Sequence, residues 1–341
     1  MTNINEIFNE FLTPYLAEDV DIRNIVHDIL GTTDPHKISE LINQTVSPYL
    51  KDDIEKILFL EPCIGAVFGF LLTSGQKIIL KIYNRKNSSA YLDEMNCIQQ
   101  IFVNENYPAP KPLSPIFTFY NTHAGLYGFI EGKKENSHNP AIRAELAKYL
   151  AKFTEIVKKH QFKPIKTFMQ ESIQGKLWPA PHNVMFDLNK TSRGAGWIAN
   201  HAKKARKIIN TYNFPHQLAH CDWDVKNTIF IDNKLVGVFD WDSLGSMSEP
   251  EMVGRAASQF TADWESGNKV TPTPDEGRAF VAEYEYHRGD SFTPDEYKVV
   301  SASADYLIAL ISRFEHSGTN ASVHPFQDLL KECNGKSFLF S

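Results

Sequence analysis

Acidic, amide and imidazole side chains crowd into one short stretch, His220-Cys221-Asp222-Trp223-Asp224-Val225-Lys226-Asn227. It runs on through Thr228-Ile229-Phe230-Ile231, an Asp232-Asn233 pair, and Leu235-Val236-Gly237-Val238-Phe239-Asp240-Trp241-Asp242. Two apolar runs about an Asp-Asn pair predict a β-hairpin. Asn227 and Asp240 stand almost symmetrically about that turn, so folding the hairpin would bring both side chains to one end of the ribbon. Magnesium favours hard oxygen ligands, takes one or two carboxylates and fills its other positions with water and phosphate oxygens. One amide and one carboxylate at a hairpin end suit it. Asp222, on the entering loop, then lies beside the metal, where a carboxylate can accept a hydroxyl proton. His216 and His220 are four apart, but without the Glu of a helical H-E-x-x-H and directly after Pro215, they do not make a zinc site. Trp223 and Trp241 read as packing residues rather than substrate stackers.

Upstream, three runs rich in β-branched and aromatic residues predict an antiparallel sheet: Ile57 to Leu60, Val67 to Leu72 and Ile78 to Tyr83, with Ser74-Gly75 as a hairpin turn. Asp34-Pro35 caps a helix, and residues 1–50 read as helical. Tyr91 to Val103 has helical spacing and ends at the proline-rich Tyr107 to Pro115. A strand pair is expected over Ile116 to Ile130, broken near Asn121 to Gly125. Gly132 to Pro140 is polar and marks a lobe boundary. Asn139-Pro140 then caps a helix with the apolar stripe Ile142, Leu146, Leu150, Phe153 and Val157. Thr273-Pro274-Asp275-Glu276 and Thr293-Pro294-Asp295-Glu296 are capping boxes. The second half is therefore mainly helical. The expected organisation is a helical extension over 1–50, a sheet lobe over 51–131 and a helical lobe over 132–341.

At 341 residues the chain is long enough for about two domains. Hydrophobic residues at 42% and charged residues at 22% sit in the globular range, which excludes disorder and fibrous repeats. No secretory signal or membrane-length apolar run is visible, and the four cysteines are widely spaced, so a reducing cytoplasm is expected. A net charge of −6 does not point to nucleic acid. The charge is uneven. Lys133 to Thr211 holds 16 Lys/Arg against 5 Asp/Glu, and Asp242 to Ser301 holds 12 acidic residues against 5 basic. Solvated helix faces would explain both. Alternatively, an acidic wall would attract a cationic substrate.

His-x-Asp-x-x-x-x-Asn, the apolar hairpin and Phe-Asp-Trp-Asp together resemble the catalytic segment of the aminoglycoside phosphotransferase and choline kinase superfamily, relatives of the protein kinases. The resemblance covers residues 55 to 315 or so, in the family's order. It implies an α+β, two-lobed protein-kinase-like fold with a nucleotide between the lobes. It further implies Asp222 as catalytic base, Asn227 and Asp240 as magnesium ligands, and His220 as a brace of the loop. Lys81, in Leu80-Lys81-Ile82-Tyr83, would contact the α- and β-phosphates, held by Glu94 of the next helix. The loop from Ile64 to Gly69, with Gly65 and Gly69, would cover the triphosphate, although it is not a G-x-G-x-x-G. Phe129-Ile130-Glu131-Gly132 resembles the hinge that carries the base, with Glu131 in it. After the metal motif the family usually shows Pro followed by Asp-Leu, where this chain has Glu249-Pro250-Glu251-Met252. Residues 1–50 and Gln170 to Tyr212 match nothing in the family.

The expected activity is ATP- or GTP-dependent transfer of the γ-phosphoryl group to a hydroxyl of an aminoglycoside-like or other polar small molecule, with Mg²⁺. The family also acts on macrolides, choline, homoserine and sugars. A nucleotide-binding pseudokinase that scaffolds a partner through the basic 133–211 segment is an alternative, but it would not need Lys81, Asp222, Asn227 and Asp240 together. Protein phosphorylation is disfavoured by the lack of an A-P-E segment after Asp240.

Overall fold

A computed structural model describes residues 3–165, 176–181, 186–318 and 323–340. Of the unmatched stretch after Gln170, residues 170–175 and 182–185 lie outside them. The chain forms two compact units, Met1–Asn104 with Pro110–Ile130, and Glu105–Ala109 with Glu131–Ser341.

The first unit is built on an antiparallel five-stranded sheet of order β1-β2-β3-β5-β4: β1 Ile54–Pro62, β2 Ala66–Leu72, β3 Lys77–Ile82, β4 Phe117–Phe119 and β5 Thr122–Gly128. Gly75 has φ +83°, the conformation that a tight turn between β2 and β3 demands and glycine supplies cheaply. The break expected near Asn121 to Gly125 is shorter. Tyr120, at φ 52°, turns the chain, and β5 begins at Thr122.

Helices α1 (Ile4–Glu18), α2 (Val20–Leu30) and α3 (Pro35–Thr45) bury Phe8, Leu12, Val26, Ile38 and Ile42 in one core with Phe68, Phe70 and Leu72 of β2 and Ile78, Leu80 and Ile82 of β3. Phe8 packs 6.4 Å from Phe68 and 6.2 Å from Phe70, ring to ring. The 1–50 segment thus supplies the cover for one sheet face. Because strand side chains alternate, Lys81 points to the opposite face. Helix α4 (Ser89–Asn104) reaches that side. Tyr127 donates to Asn96 Oδ1 of α4 at 3.1 Å, and Tyr83 and Tyr127 share a hydroxyl contact of 2.5 Å.

The second unit is mainly helical. Helix α5 (Pro140–His160) starts where Asn139 Oδ1 accepts from the Ala141 N–H at 3.0 Å. It is followed by α6 (Gly196–Tyr212), α7 (Glu249–Gln259), α8 (Pro274–Arg288), α9 (Pro294–Ser317) and α10 (Pro325–Glu332). Both expected capping boxes are present: Thr273 and Thr293 N–H each donate to the Glu three residues on, at 2.7 Å. Helix α9 packs against α6, α7 and α10, so its apolar residues form the centre of the unit.

Two small ribbons complete this unit. β7 (Thr228–Ile231) and β8 (Lys234–Val238) form the expected hairpin. Its turn residues Asp232 and Asn233 have φ 48° and 61°, the left-handed pair that a two-residue turn needs and short polar side chains tolerate. β6 (Gln217–His220) pairs antiparallel with β9 (Leu244–Met247), His220 opposite Leu244. Residues 105–109 join this unit because Val238 N–H donates to Pro108 O at 2.7 Å and the Tyr107 hydroxyl to Tyr149 O at 3.1 Å. No described helix is long and apolar enough to cross a membrane.

Candidate active site

The two ribbons hold the ends of the His220–Asn227 loop. β6 ends at His220, and the Cys221 N–H donates to Ser243 O at 3.0 Å. His220 Nε2 donates to Phe239 O at 3.0 Å, which ties the loop's entrance to the hairpin's exit. Val225 N–H donates to Phe260 O at 3.0 Å, anchoring the middle of the loop on the end of α7. Asp224 then caps a 3-10 turn over Val225–Asn227, its Oδ1 accepting from the Asn227 N–H at 3.2 Å. A loop bound at so many points has its side chains oriented before any ligand arrives.

Asn227 Nδ2 donates to Asp222 O at 2.9 Å and to Asp222 Oδ2 at 3.3 Å. The amide is thereby oriented, with its oxygen as the remaining ligating atom. Thr228 lies opposite Val238, and the Phe239 N–H donates to Asn227 O at 2.8 Å, so the hairpin delivers Asp240 to the end that holds Asn227. Asp240 is left-handed at φ 59°, a conformation uncommon outside glycine and typical of residues held for a purpose. Ser243 Oγ donates to Asp240 Oδ2, and the Ser243 N–H donates to Asp240 O at 2.9 Å.

Magnesium fits this donor set. One amide oxygen and one carboxylate, completed by phosphate and water, match the preference of a hard divalent cation. His216 is engaged elsewhere, with Ser246 Oγ at 3.2 Å and Glu251 Oε2 at 3.4 Å.

Three residues that sequence reasoning did not assign complete the surroundings of Asp222. Lys226 Nζ lies 2.9 Å from Asp222 Oδ2 and 2.8 Å from Asp224 Oδ2. Gln259 Nε2, at the end of α7, donates to Asp222 Oδ1 at 3.3 Å. Burial, the largest influence, works to raise the Asp222 carboxyl, as does the repulsion of Asp240, but the Lys226 charge, its hydrogen bond and the nearby His220 together hold Asp222 below the usual range. Burial pushes the Asp224 carboxyl well above its usual value, against Lys226 and with the repulsion of Asp222. Lys226 itself is opposed by burial, yet Asp222 and Asp224 keep its ammonium raised. The Asp-x-Asp-x-Lys order was visible in the sequence. Only the 3-10 turn shows that one lysine reaches both acids.

In the first unit, Lys81 lies opposite Val67 and Gly125, with Nζ 5.5 Å from the Tyr83 ring. Glu94 is exposed on α4, and the α4 side chain that bonds to the Lys81 face of the sheet is Asn96. The Ile64 to Gly69 stretch is not one loop. The chain turns over Cys63–Gly65, where Cys63 N–H donates to Gly65 O at 2.8 Å, and β2 begins at Ala66. A Cβ at Gly65 would overlap the Ile82 carbonyl oxygen, so close backbone approach requires glycine there. Gly69 is mid-strand and buried beneath the Phe59 ring. Glu131 is exposed, directly after the first unit ends at Ile130. Trp241 is buried, 6.1 Å from Tyr107 and 6.4 Å from Phe153, and Trp223 is buried 5.5 Å from His220. Both pack.

The family model described as "Phosphotransferase enzyme family" matches residues 67–248, from β2 to the threshold of α7. No curated protein matches the chain. Among solved structures, amicoumacin kinase hAmiN in complex with AMP-PNP, Ca²⁺ and Ami superposes with a TM-score of 0.60 at 15% identity, covering 84% of this chain and 91% of that one. An ethanolamine kinase of Plasmodium vivax gives 0.55 at 13% identity, covering 93% and 94%. An aminoglycoside phosphotransferase of Alicyclobacillus acidocaldarius gives 0.55 at 12% identity, covering 86% and 90%. At such identities the likeness is one of fold.

Proposed function

The chain belongs to the phosphotransferase enzyme family, phosphotransferases with an alcohol group as acceptor, and on that premise we propose that Asp222 is its catalytic base in transfer of a γ-phosphoryl group from ATP or GTP to a hydroxyl of a polar small molecule. One observation carries this reading: the loop that presents Asp222 is bonded to Asn227, at the hairpin end where Asp240 also emerges.

In the proposed step the Asp222 carboxylate accepts the proton of the acceptor hydroxyl as its oxygen forms a bond to the γ-phosphorus. The bond from that phosphorus to the β–γ bridging oxygen breaks, and the nucleoside diphosphate leaves with its electron pair. Gln259 and Asn227 fix the orientation of Asp222, and Lys226 keeps it ionised. Magnesium, held by Asn227 and Asp240, would supply charge compensation for the phosphates. Such a transition state is loose, so positioning and charge provide most of the rate. Residues 51–131 are assigned to nucleotide binding, with Lys81 on the α- and β-phosphates, and residues 132–341 to acceptor chemistry.

The test is nucleoside diphosphate release with a turned-over acceptor. Asp222→Ala and Asp240→Ala are expected to lower kcat by at least a thousandfold, and near wild-type transfer in either folded variant would remove the assignment. Thermal shift with ATP and with GTP, each with and without Mg²⁺, reads the nucleotide and metal preference, because a ligand bound to the native state raises Tm.

A further inference from the structure

Many of the acids in the stretch that would attract a cationic acceptor are engaged within the protein. Glu249 pairs with Lys158 and Arg288, and Glu283 with Arg143, all at 2.8 Å. Glu276 and Glu296 close capping boxes. Glu285 accepts from Phe292 N–H and the Tyr297 hydroxyl, both at 2.6 Å. Glu251 accepts from the Ser248 N–H at 2.9 Å and from its hydroxyl at 2.6 Å. The cations on Glu249 and Glu283 offset the charge of those two carboxylates.

The basic excess is placed differently. A cavity of about 300 Å³ is enclosed by α6, β9, α7 and α9, with Arg206, Arg255 and Tyr306 in its wall. An open surface depression of about 650 Å³ adjoins it at Arg206, lined by Lys176, Lys203 and Lys207. None of these five cations forms an ion pair among the described residues. The Arg206 guanidinium lies 5.3 Å from the centre of the Tyr306 ring. Arg255 lines the cavity, and its Nε is buried with no hydrogen-bond partner among the described residues, a costly arrangement. Burial raises the Tyr306 phenol, and both arginines oppose that, which places them together around it. The one acid in the wall, Glu251, is the cap already described and also lies 3.4 Å from His216 Nε2.

This cavity is tied to the proposed base. Gln259, which holds Asp222 Oδ1, is four residues beyond Arg255 on α7, so Arg255 follows one turn away on the same face, a rise of ~6 Å. From the other side, Ser246 in the cavity wall pairs with Leu218, and β6 runs from there to His220, two residues before Asp222.

We infer that the acceptor carries an anionic group, a phosphate or a carboxylate, seated against Arg255 and Arg206 while its hydroxyl reaches Asp222. This rests on the assignment of Asp222 as base. Arginine suits the task because its planar fork meets carboxylate and phosphate oxygens in pairs.

The test uses the full chain with MgATP and sets of compounds that share a hydroxyl but differ in charge. Sugar phosphates and hydroxycarboxylic acids are compared with neutral sugars, amino alcohols and aminoglycosides, by nucleoside diphosphate release. The anionic member of a set is expected to have at least tenfold higher kcat/KM. Arg255→Gln and Arg206→Gln are each expected to raise the acceptor KM at least tenfold while the ATP KM moves less than twofold. The phosphate and carboxylate arms decide between the two groups. A preference for neutral or cationic acceptors that still requires Asp222 overturns this inference alone, whereas transfer that survives Asp222→Ala overturns the assignment of the base. Binding is read independently by melting with inorganic phosphate or malonate, the nucleotide site filled with MgADP. The expected rise in Tm should vanish in the Arg206→Gln/Arg255→Gln double variant. No rise with either anion, or an equal rise in the double variant, refutes the inference.

Discussion

Replacing Glu249 by Gln tests the buried ion network at the start of α7. The Glu249 side chain is 10% exposed, with Arg288 Nε at 2.8 Å on one oxygen and Lys158 Nζ at 2.8 Å on the other. The Tyr284 hydroxyl, also 2.8 Å away, bonds to the Arg288 side. An amide of the same shape can still accept from Tyr284 and Arg288 through its oxygen, but the Lys158 bond and the carboxylate's charge are lost, and Arg288, 17% exposed, keeps its own charge in a poorly hydrated place. Removing one member of a buried pair costs about 3–5 kcal/mol. Here Arg288 retains Glu296 at 3.7 Å and the Phe292 ring at 4.5 Å, so roughly 2–4 kcal/mol is expected. In a unit of this size that lowers Tm by roughly 5–15 °C. Lys158 is 51% exposed, so water replaces much of what it loses, and Lys158→Met should cost about 0–1 kcal/mol. Thermal and urea unfolding followed by tryptophan fluorescence measure both variants. A Glu249→Gln cost no larger than that of Lys158→Met would show that Arg288 does not depend on the Glu249 charge.

A pH dependence follows from two buried acids at the C-terminal end. Burial pushes Asp305 up to about 6 against the Phe338 N–H, and Glu315 up to about 7 against the Phe326 and Gln327 N–H groups. Their folded values exceed the unfolded ones, so the native state binds more protons between about pH 4 and 7, and stability is lost as pH rises through that window. Melting at pH 5 and pH 8 should show a loss on the order of 1–3 kcal/mol that shrinks in Asp305→Asn/Glu315→Gln; an unchanged difference would contradict it. At the turn before β2, Gly65→Ala forces a Cβ onto the Ile82 carbonyl, whereas Gly128→Ala meets only the Lys111 backbone at 3.7 Å or beyond. Gly65→Ala should cost about 2 kcal/mol or more and Gly128→Ala under about 1, and equal urea midpoints for the two would show that the turn can shift.

The sequence by itself determined the pieces whose causes are local. Asp232-Asn233 between two apolar runs specifies the hairpin, and its register carries Asn227 and Asp240 to one end. Asn139-Pro140, Thr273 to Glu276 and Thr293 to Glu296 name their helix starts because each cap bonds within a few residues. Tertiary structure decided what depends on contacts between distant segments. The pairing of Gln217–His220 with Leu244–Met247 leaves little trace in two four-residue runs without clear alternation, yet it closes the loop that carries Asp222. Nothing in the order of residues shows that Gln259 would hold Asp222, that Asn96 rather than Glu94 would bond to the Lys81 face, or that Gly69 would lie under Phe59. The acidic excess after Asp240 looked like a field for cations. Many of those acids sit in caps and ion pairs, while the arginines of α6 and α7 line a cavity, because a charge count records how many groups exist and only packing decides which of them find partners.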